Sequence, residues 1–399
     1  MIISSKRTEK FNYAIRDIVL AAEQLERDGR EVIYLNIGDP QVYGFRPPAH
    51  VVEAVTRALK DGFTGYSHSM GLFEARESVA QYAVNLGVRT EPADVLITSG
   101  ASEAAELALS ALLDGGDEVL MPAPGYPIYP AILNKLGAVT RYYRVDESNE
   151  WRPSPDEVRS LINERTRAII LINPNNPTGC IAPDAITAEL LEIAARHNLL
   201  VIADEVYREL CFDHQPTPSS LMAQELGIPL ITLESLSKTH LVPGWRIGWM
   251  RFTNREKMTQ LVSSVIRLAS GRLCSSTPAQ YAVRPALQGN RDFLEGFINE
   301  TRHRRDVALA QVRSISGISC PEPQAAFYLM VKVHDTGGRM DDRFVLDFLQ
   351  ETGVLVVHGS GFGADPMQGY FRLVFLADEN TLTTAFDRLR HFITKAQSN

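Results

Sequence analysis

A lysine stands where a short apolar segment gives way to small hydroxyl residues. Lys238 follows residues 229–233, a run expected to form a buried strand, and the serines Ser235 and Ser237. Open α/β sheets bind ligands at the carboxyl ends of their strands. Partial burial there lowers the pKa of a lysine, because desolvation disfavours the ammonium ion. The amine could then attack an aldehyde, although a lysine in this position is more often a solvated surface residue.

A carboxylate ends a second apolar segment, residues 199–203. Asp204 at this end would be costly to bury unless a partner compensates its charge, and a protonated ring nitrogen is one suitable partner. Tyr207 follows three residues later and could reach an oxygen on the same ring. The alternative role of Asp204 is to cap the start of a following helix.

Two rigid loops follow further apolar segments. Residues 173–179 read Asn-Pro-Asn-Asn-Pro-Thr-Gly, and the turn-forming residues around Asn176 fix the direction of its side chain. Residues 122–127 hold Tyr126 between prolines. A rigid aromatic ring at such a place can stack on a flat heteroaromatic ring. The alternatives are asparagines that only cap their loop and a tyrosine that belongs to the core or the surface.

Another segment and an arginine could bind a phosphate. The run Ser-Gly-Ala-Ser at 99–102 includes Ala101 and Ser102 and precedes a helix expected at 105–113. Free N–H groups at a helix start attract phosphate, although the same residues could form a Ser/Glu capping arrangement. Arg246 lies eight residues after the lysine, and a guanidinium group suits a phosphate.

Three more residues would be functional only if they contact a ligand. Arg372 lies inside an otherwise apolar segment, 370–375, and needs an anion. That anion could be a structural carboxylate or the carboxylate of a substrate. Gly38 lies in a tight turn before Asp-Pro, where its backbone is accessible, and Tyr66 lies in a polar loop.

The composition favours a cytoplasmic globular protein of two domains. The chain has 399 residues, of which 45% are hydrophobic and 22% are charged. Its net charge of −8 argues against nucleic acid or an anionic membrane as a partner. No apolar run reaches the roughly 20 residues of a membrane span, and the first residues lack the apolar core of a signal peptide. The four dispersed cysteines indicate a reducing compartment, and neither they nor the histidines have the spacing of metal ligands.

From residue 94 onwards, strands and helices alternate as in a parallel α/β sheet. Helices are expected at 11–27, 49–60 and 72–86, and a first strand at 32–37. The strands expected in the sheet are 95–98, 118–121, 167–172, 199–203, 229–233 and 247–252. A long helix at 292–314 leads to a second unit, with strands at 326–333, 354–357 and 370–375.

Together these segments resemble the class I pyridoxal phosphate (PLP)-dependent aminotransferases of fold type I. The resemblance extends from about residue 11 to residue 392. It implies a large PLP-binding domain, 45–292, with a mostly parallel sheet flanked by helices, and a smaller α+β domain, 1–44 and 293–399. Its motifs are Gly38, Gly65-Tyr66, Ser99-Gly100-Ala101-Ser102, Tyr126, the asparagine-rich loop, Asp204-Glu205-Val206-Tyr207, Ser235-Leu236-Ser237-Lys238, Arg246 and Arg372.

The resemblance also implies a role for each residue at the cofactor ring. Lys238 would bind PLP as a Schiff base and would move the substrate's α-proton. Asp204 would hold the proton on the ring nitrogen, so that the ring stays an electron sink. Asn176 and Tyr207 would donate to the ring oxygen, and Tyr126 would stack on the ring.

Phosphate and substrate would be held by the remaining residues. Tyr66 would reach the phosphate of a neighbouring subunit, which implies a homodimer with shared active sites. The phosphate of the same subunit would be bound by Ala101, Ser102, Ser235 and Arg246. The substrate's α-carboxylate would be bound by Arg372, Asn176 and the backbone of Gly38.

The implied reaction moves an amino group between an L-amino acid and 2-oxoglutarate by a ping-pong mechanism. Within the family, the likeness is to alanine transaminases of the glutamate–pyruvate type, which makes alanine the expected donor. It rests on residues 35–38, 122–127, 272–274 and 278–280. The alternatives are aspartate, valine or an aromatic donor, a PLP lyase that cleaves C–S bonds, and a non-catalytic amino-acid sensor.

Overall fold

The computed structural model describes residues 3–5 and 18–397. Its strands are β1 (Ile33–Tyr34), β2 (Val95–Thr98), β3 (Glu118–Ala123), β4 (Val139–Asp146), β5 (Arg152–Pro153), β6 (Thr166–Ile172), β7 (Leu200–Asp204), β8 (Leu230–Ser235), β9 (Gly248–Thr253), β10 (Ile318–Ser319), β11 (Tyr328–Val333), β12 (Val354–Leu355), β13 (Val357–His358) and β14 (Tyr370–Val374).

The helices of the described residues cover the faces of the sheets. They are α1 (Val19–Arg27), α2 (Ala49–Lys60), α3 (Phe73–Asn85), α4 (Ala101–Leu112), α5 (Ile128–Leu136), α6 (Pro155–Leu161), α7 (Asp184–Arg196), α8 (Ser219–Leu226), α9 (Leu236–Thr239), α10 (Thr259–Gly271), α11 (Thr277–Gln280), α12 (Val283–Gln288), α13 (Asp292–Ser314), α14 (Asp341–Thr352) and α15 (Glu379–Gln397). None of them is long and apolar enough to span a bilayer.

Eight strands form the large sheet in the order β2-β9-β8-β7-β6-β3-β4-β5. Neighbours from β8 to β4 pair in parallel, whereas β9 runs antiparallel to both β2 and β8. Strands β2, β3, β7, β8 and β9 are buried at every position. Continuous burial is typical of strands with helices on both faces. The predicted mostly parallel sheet is therefore confirmed.

A smaller antiparallel sheet has the order β10-β11-β14-β13. Next to it, β1 pairs in parallel with β12, so that Ile33 lies opposite Val354. One hydrophobic core joins the early residues to the last third of the chain, with Leu35 and Phe386 among its members. This arrangement confirms the predicted fold of a large α/β unit with a smaller α+β unit. The exact division at residues 45 and 292 stays a prediction.

Several predicted boundaries are wrong. The helix expected at 105–113 begins four residues earlier, at Ala101, because Gly100 turns the chain directly from β2 into α4 with a φ of 79°. The strand expected at 32–37 has only two residues. The strand expected at 354–357 is two strands, because the chain leaves β1 and joins β14 at this point. Part of the helix expected at 11–27 lies outside the described residues, and its described part begins at Val19.

Candidate active site

The carboxyl ends of β3, β6, β7 and β8 surround one cavity. Its empty volume, which includes space open to solvent, is about 640 Å³. The parallel strands bring the loops after them to the same edge of the sheet. Nine of the residues predicted from the sequence line this cavity: Ala101, Ser102, Tyr126, Asn176, Asp204, Tyr207, Ser235, Lys238 and Arg246.

Lys238 lies in the short helix α9, directly after β8. The Ser235 hydroxyl caps this helix by accepting from the Ser237 N–H at 3.4 Å. The Nζ atom of Lys238 donates to the Gly38 carbonyl oxygen at 2.6 Å. Burial lowers the pKa of Lys238 to about 8, although the nearby Asp39 carboxylate opposes this shift. A substantial fraction of this amine is therefore neutral near physiological pH.

Asp204 ends β7 with its carboxyl group buried in the same cavity. The Tyr129 hydroxyl donates to Oδ2 at 2.7 Å, and the Val206 N–H donates to Oδ1 at 3.3 Å. Burial raises the pKa of Asp204, whereas these two hydrogen bonds lower it. Among the described residues, Asp204 forms no ion pair, so a cationic N–H group of a ligand would compensate its charge.

Arg372 is buried in β14 and is fixed by four neighbours. Its Nη1 donates to the Asn176 side-chain oxygen at 3.1 Å, and its Nη2 donates to the Asn36 carbonyl at 2.5 Å. The rings of Tyr328 and Phe362 each have their centroid 4.6 Å from the guanidinium carbon. The guanidinium plane is therefore held beside Asn176, which lines the cavity.

The opposite end of the cavity is suited to an anion. Helix α4 begins there, and the first N–H groups of a helix have no partner within the helix. The guanidinium of Arg246 donates to the carbonyls of Pro243 at 3.1 Å and Ser99 at 3.2 Å. A Cβ on Gly100 would lie 2.6 Å from Arg246 Nη2, so the glycine lets this arginine approach the helix start.

Three predicted residues do not line the cavity. Gly38 and Arg372 are connected to it by the hydrogen bonds with Lys238 and Asn176. The structure thus places the Gly38 carbonyl beside the lysine, and the role of its backbone with a carboxylate stays a prediction. Tyr66 is 83% exposed on the surface of the chain, and its predicted contact with a neighbouring subunit also stays a prediction.

The sequence reasoning missed three aromatic residues of the site. Tyr129, which donates to Asp204, lies in the first turn of α5, three residues after Tyr126. Tyr328 accepts or donates a 2.6 Å hydrogen bond with the Tyr207 hydroxyl. Phe362 lies in the glycine-rich segment 359–363. No local pattern marks the last two.

The donor set fits PLP. An amine of lowered pKa, a buried acid without a cationic partner among the described residues, and an anion-binding helix start share one cavity. Burial and the adjacent Tyr328 raise the pKa of Tyr207, so its hydroxyl stays protonated and can donate to a ring oxygen. Each part of the cofactor would thus meet a group of complementary charge or hydrogen-bonding capacity.

Comparisons with known proteins agree with this geometry. The glutamate-pyruvate aminotransferase AlaA of Escherichia coli (strain K12) is 36% identical over 98% of both chains. The solved alanine aminotransferase from Pyrococcus furiosus is 39% identical with a TM-score of 0.95, covering 98% of this chain and 100% of that one. The aspartate aminotransferase from Thermus thermophilus, solved with maleate, is 28% identical with a TM-score of 0.89, at 98% and 100% coverage.

Residues 30–389 match the family described as aminotransferase class I and II. The chain belongs to this family, whose members use PLP to move amino groups between amino acids and 2-oxo acids.

Proposed function

We propose that this aminotransferase moves the amino group between L-alanine and 2-oxoglutarate by a ping-pong mechanism. The observation that carries the aminotransferase chemistry is the meeting of Lys238, Asp204 and the Arg372–Asn176 pair at one cavity. The choice of alanine is supported by two of the reported relatives, which are named for alanine or for glutamate and pyruvate. The relative named for aspartate has a lower identity to this chain.

The residues that would hold the cofactor come from both ends of the cavity. Asp204 would face the ring nitrogen, and Asn176 and Tyr207 would donate to the ring oxygen. The phosphate would be bound at the start of α4 by Ala101 and Ser102, together with Ser235 and Arg246. When bound, PLP supplies an aldehyde that receives the amino group and a ring that withdraws electrons from the α-carbon.

Arg372 and Asn176 would orient the amino acid through its α-carboxylate. A guanidinium group binds a carboxylate through two parallel N–H donors, which fixes direction as well as distance. The rings of Tyr328 and Phe362, each 4.6 Å from the guanidinium carbon of Arg372, restrict its movement. Holding the carboxylate in one place fixes the α-carbon relative to Lys238, and such positioning is a large part of catalysis.

Lys238 would act as the general base and acid. With its pKa lowered to about 8, the Nζ atom can accept a proton from the substrate's α-carbon and return it at neutral pH. Asp39 and the Gly38 carbonyl lie close to this amine and favour its protonated form once it carries the proton. A pKa of about 8 for Lys238 is close to neutral pH, where the amine can transfer a proton efficiently in both directions.

The proposed donor is tested by a panel of amino acids with 2-oxoglutarate as acceptor. We expect kcat/KM to be highest for alanine, at least about tenfold above aspartate, valine and phenylalanine, which corresponds to about 1.4 kcal/mol of differential transition-state binding. Omitting the acceptor is the control for the rival C–S lyase, which would need none. Valine or aspartate ahead of alanine would reject the proposed specificity, and steady ammonia release without acceptor would reject transamination.

We also propose that the protein is a homodimer in which Tyr66 reaches the phosphate bound by the partner. Tyr66 is 83% exposed and does not line the cavity of its own chain, and Phe63 and Phe73 are exposed as well. Light scattering is expected to give a mass about twice the 44.3 kDa of one chain. Tyr66→Phe should weaken cofactor binding roughly tenfold, the effect of one lost hydrogen bond to a charged group. A monomer whose cofactor affinity does not depend on Tyr66 would contradict shared active sites.

A cytoplasmic location is proposed on the state of the cysteines. Cys180, Cys211, Cys274 and Cys320 are all free. Free thiols are usual in the reducing cytosol and uncommon in secreted proteins. Cell fractionation tests this placement, and recovery of the native enzyme outside the cytosolic fraction would contradict it.

A further inference from the structure

Tyr328 connects the two sheets at the cavity. It begins β11 in the small antiparallel sheet, and it is buried. Its hydroxyl lies 2.6 Å from the hydroxyl of Tyr207, which follows β7 of the large sheet. The two rings also meet edge to face, with their centroids 5.7 Å apart. One buried hydrogen bond thus joins the cofactor side of the cavity to the sheet that carries the carboxylate-binding arginine.

The same side chain also contacts Arg372. Met330 lies opposite Arg372 in the pairing of β11 with β14, so Tyr328 is a diagonal neighbour of the arginine. The guanidinium carbon lies 4.6 Å from the centroid of the Tyr328 ring. The ring therefore supports one face of Arg372, while the hydroxyl at its far end points to Tyr207.

Gly38 makes room for this hydroxyl. A Cβ on Gly38 would lie 2.4 Å from the Tyr328 oxygen and 2.6 Å from Phe327 Cε2. Any side chain at Gly38 would therefore force Tyr328 or Phe327 to move. The positions of Tyr328 and Phe327 thus explain the absence of a side chain there.

We propose that Tyr328 is a positioning residue with two separable parts, a hydroxyl that orients Tyr207 towards the cofactor and a ring that orients Arg372 towards the substrate carboxylate. A hydroxyl that accepts a hydrogen bond becomes a stronger donor itself, because neighbouring hydrogen bonds polarise one another. With Tyr328 donating to its oxygen, Tyr207 donates more strongly to the ring oxygen of PLP. A stronger donor favours the deprotonated form of the bound cofactor.

The hydroxyl is tested by Tyr328→Phe in the holoenzyme without substrate. The pKa at which the visible absorption of the bound cofactor titrates is expected to rise by about 0.5 unit, a fraction of one hydrogen bond. KM for alanine should change less than about twofold, because the ring under Arg372 remains. The other titratable groups around the pair, Tyr43, Tyr126 and Arg372, are the same in both proteins.

The ring is tested by Tyr328→Leu, which removes both parts. This variant is expected to show the same spectroscopic shift and, in addition, a KM for alanine raised roughly fivefold to tenfold, as expected for a lost cation–π contact. Tyr143→Phe is the matched control, since Tyr143 is equally buried and its hydroxyl donates to the Ile170 carbonyl at 2.9 Å. The control should melt at a lower temperature without any spectroscopic shift.

A double-mutant cycle with Tyr207→Phe decides whether the two hydroxyls act together. In an enzyme that already carries Tyr207→Phe, adding Tyr328→Phe should cause almost no further change in the pKa of the bound cofactor. The proposal would be overturned if Tyr328→Phe left the cofactor pKa unchanged, or if the pKa change of the double variant equalled the sum of the two single changes. Both outcomes can be measured even if Tyr328→Leu fails to fold. The inference rests on the proposed role of Tyr207 at the cofactor ring. The titration uses no amino acid, so a wrong choice of alanine or a lyase reaction would leave this test intact.

Discussion

Replacing Lys238 with alanine is expected to lower kcat by at least about 10⁴-fold while the protein still binds PLP without a covalent bond. Lys238 is the only lysine among the described residues that line the cavity, so no neighbouring amine can take over. Asp204 and the proposed phosphate-binding residues at the start of α4 do not depend on its side chain. Steady-state kinetics with alanine and 2-oxoglutarate measure the loss, and fluorescence titration measures the retained cofactor affinity.

Lys257→Ala is the matched control for this substitution. Like Lys238, Lys257 donates its Nζ atom to a glycine carbonyl, that of Gly227, but it lies on the surface outside the cavity. Its replacement should leave kcat within about twofold, as is usual for surface positions. A Lys238→Ala enzyme that keeps more than about one per cent of the activity would remove the lysine from the centre of the chemistry.

Arg372→Lys is expected to raise KM for both the amino acid and the 2-oxo acid by about 10²-fold, with a smaller effect on kcat. The positive charge remains, but a lysine cannot offer two parallel donors and has no planar group to pack against the rings of Tyr328 and Phe362. Two weakened charged hydrogen bonds correspond to about 3 kcal/mol, or roughly two powers of ten. Initial rates over a range of each substrate measure the effect.

The same substitution at Arg144 separates this effect from a general loss of charge. Arg144 lies in β4, is exposed and does not line the cavity. Arg144→Lys should leave both KM values unchanged. If Arg372→Lys raised KM less than threefold, the carboxylate would be bound elsewhere and the orientation argued for the substrate would be wrong.

The sequence predicted the large sheet well, because a strand covered on both faces has a distinctive pattern. The runs that became β6, β7 and β8 are short, apolar and followed by polar or turn-forming residues. The same feature located much of the site. Asp204, Asn176 and Lys238 stand where such runs end, and parallel strands deliver their ends to one edge.

Helix starts and short strands were harder to predict. Ser99 to Ser102 are small residues that suit both a phosphate-binding turn and a helix, and only the conformation of Gly100 decides that α4 begins at once. The segment 354–357 pairs first with β1 and then with β14. The hydrophobic pattern of four residues cannot reveal such a change of partner. These differences arise from tertiary pairing and not from local preference.

The residues missed at the site make contacts between distant parts of the chain. Tyr328 meets a tyrosine 121 positions away, and the meeting depends on the absence of a side chain at Gly38. Arg372 was left with two possible anions, and the structure places it on the side chain of Asn176, at the edge of the cavity. Contacts among three residues of this kind arise from the packing of the whole fold, and the sequence near each residue does not indicate them.

The proposed ping-pong transamination of alanine is tested by its first half-reaction. The PLP-loaded enzyme is mixed with excess L-alanine in the absence of any 2-oxo acid, and the visible spectrum, pyruvate and ammonia are measured together. We expect the visible band to disappear, with one pyruvate released per active site and no ammonia. Adding 2-oxoglutarate should then restore the band and release one glutamate per active site. Continued release of pyruvate and ammonia without an acceptor, or an unchanged spectrum, would contradict it.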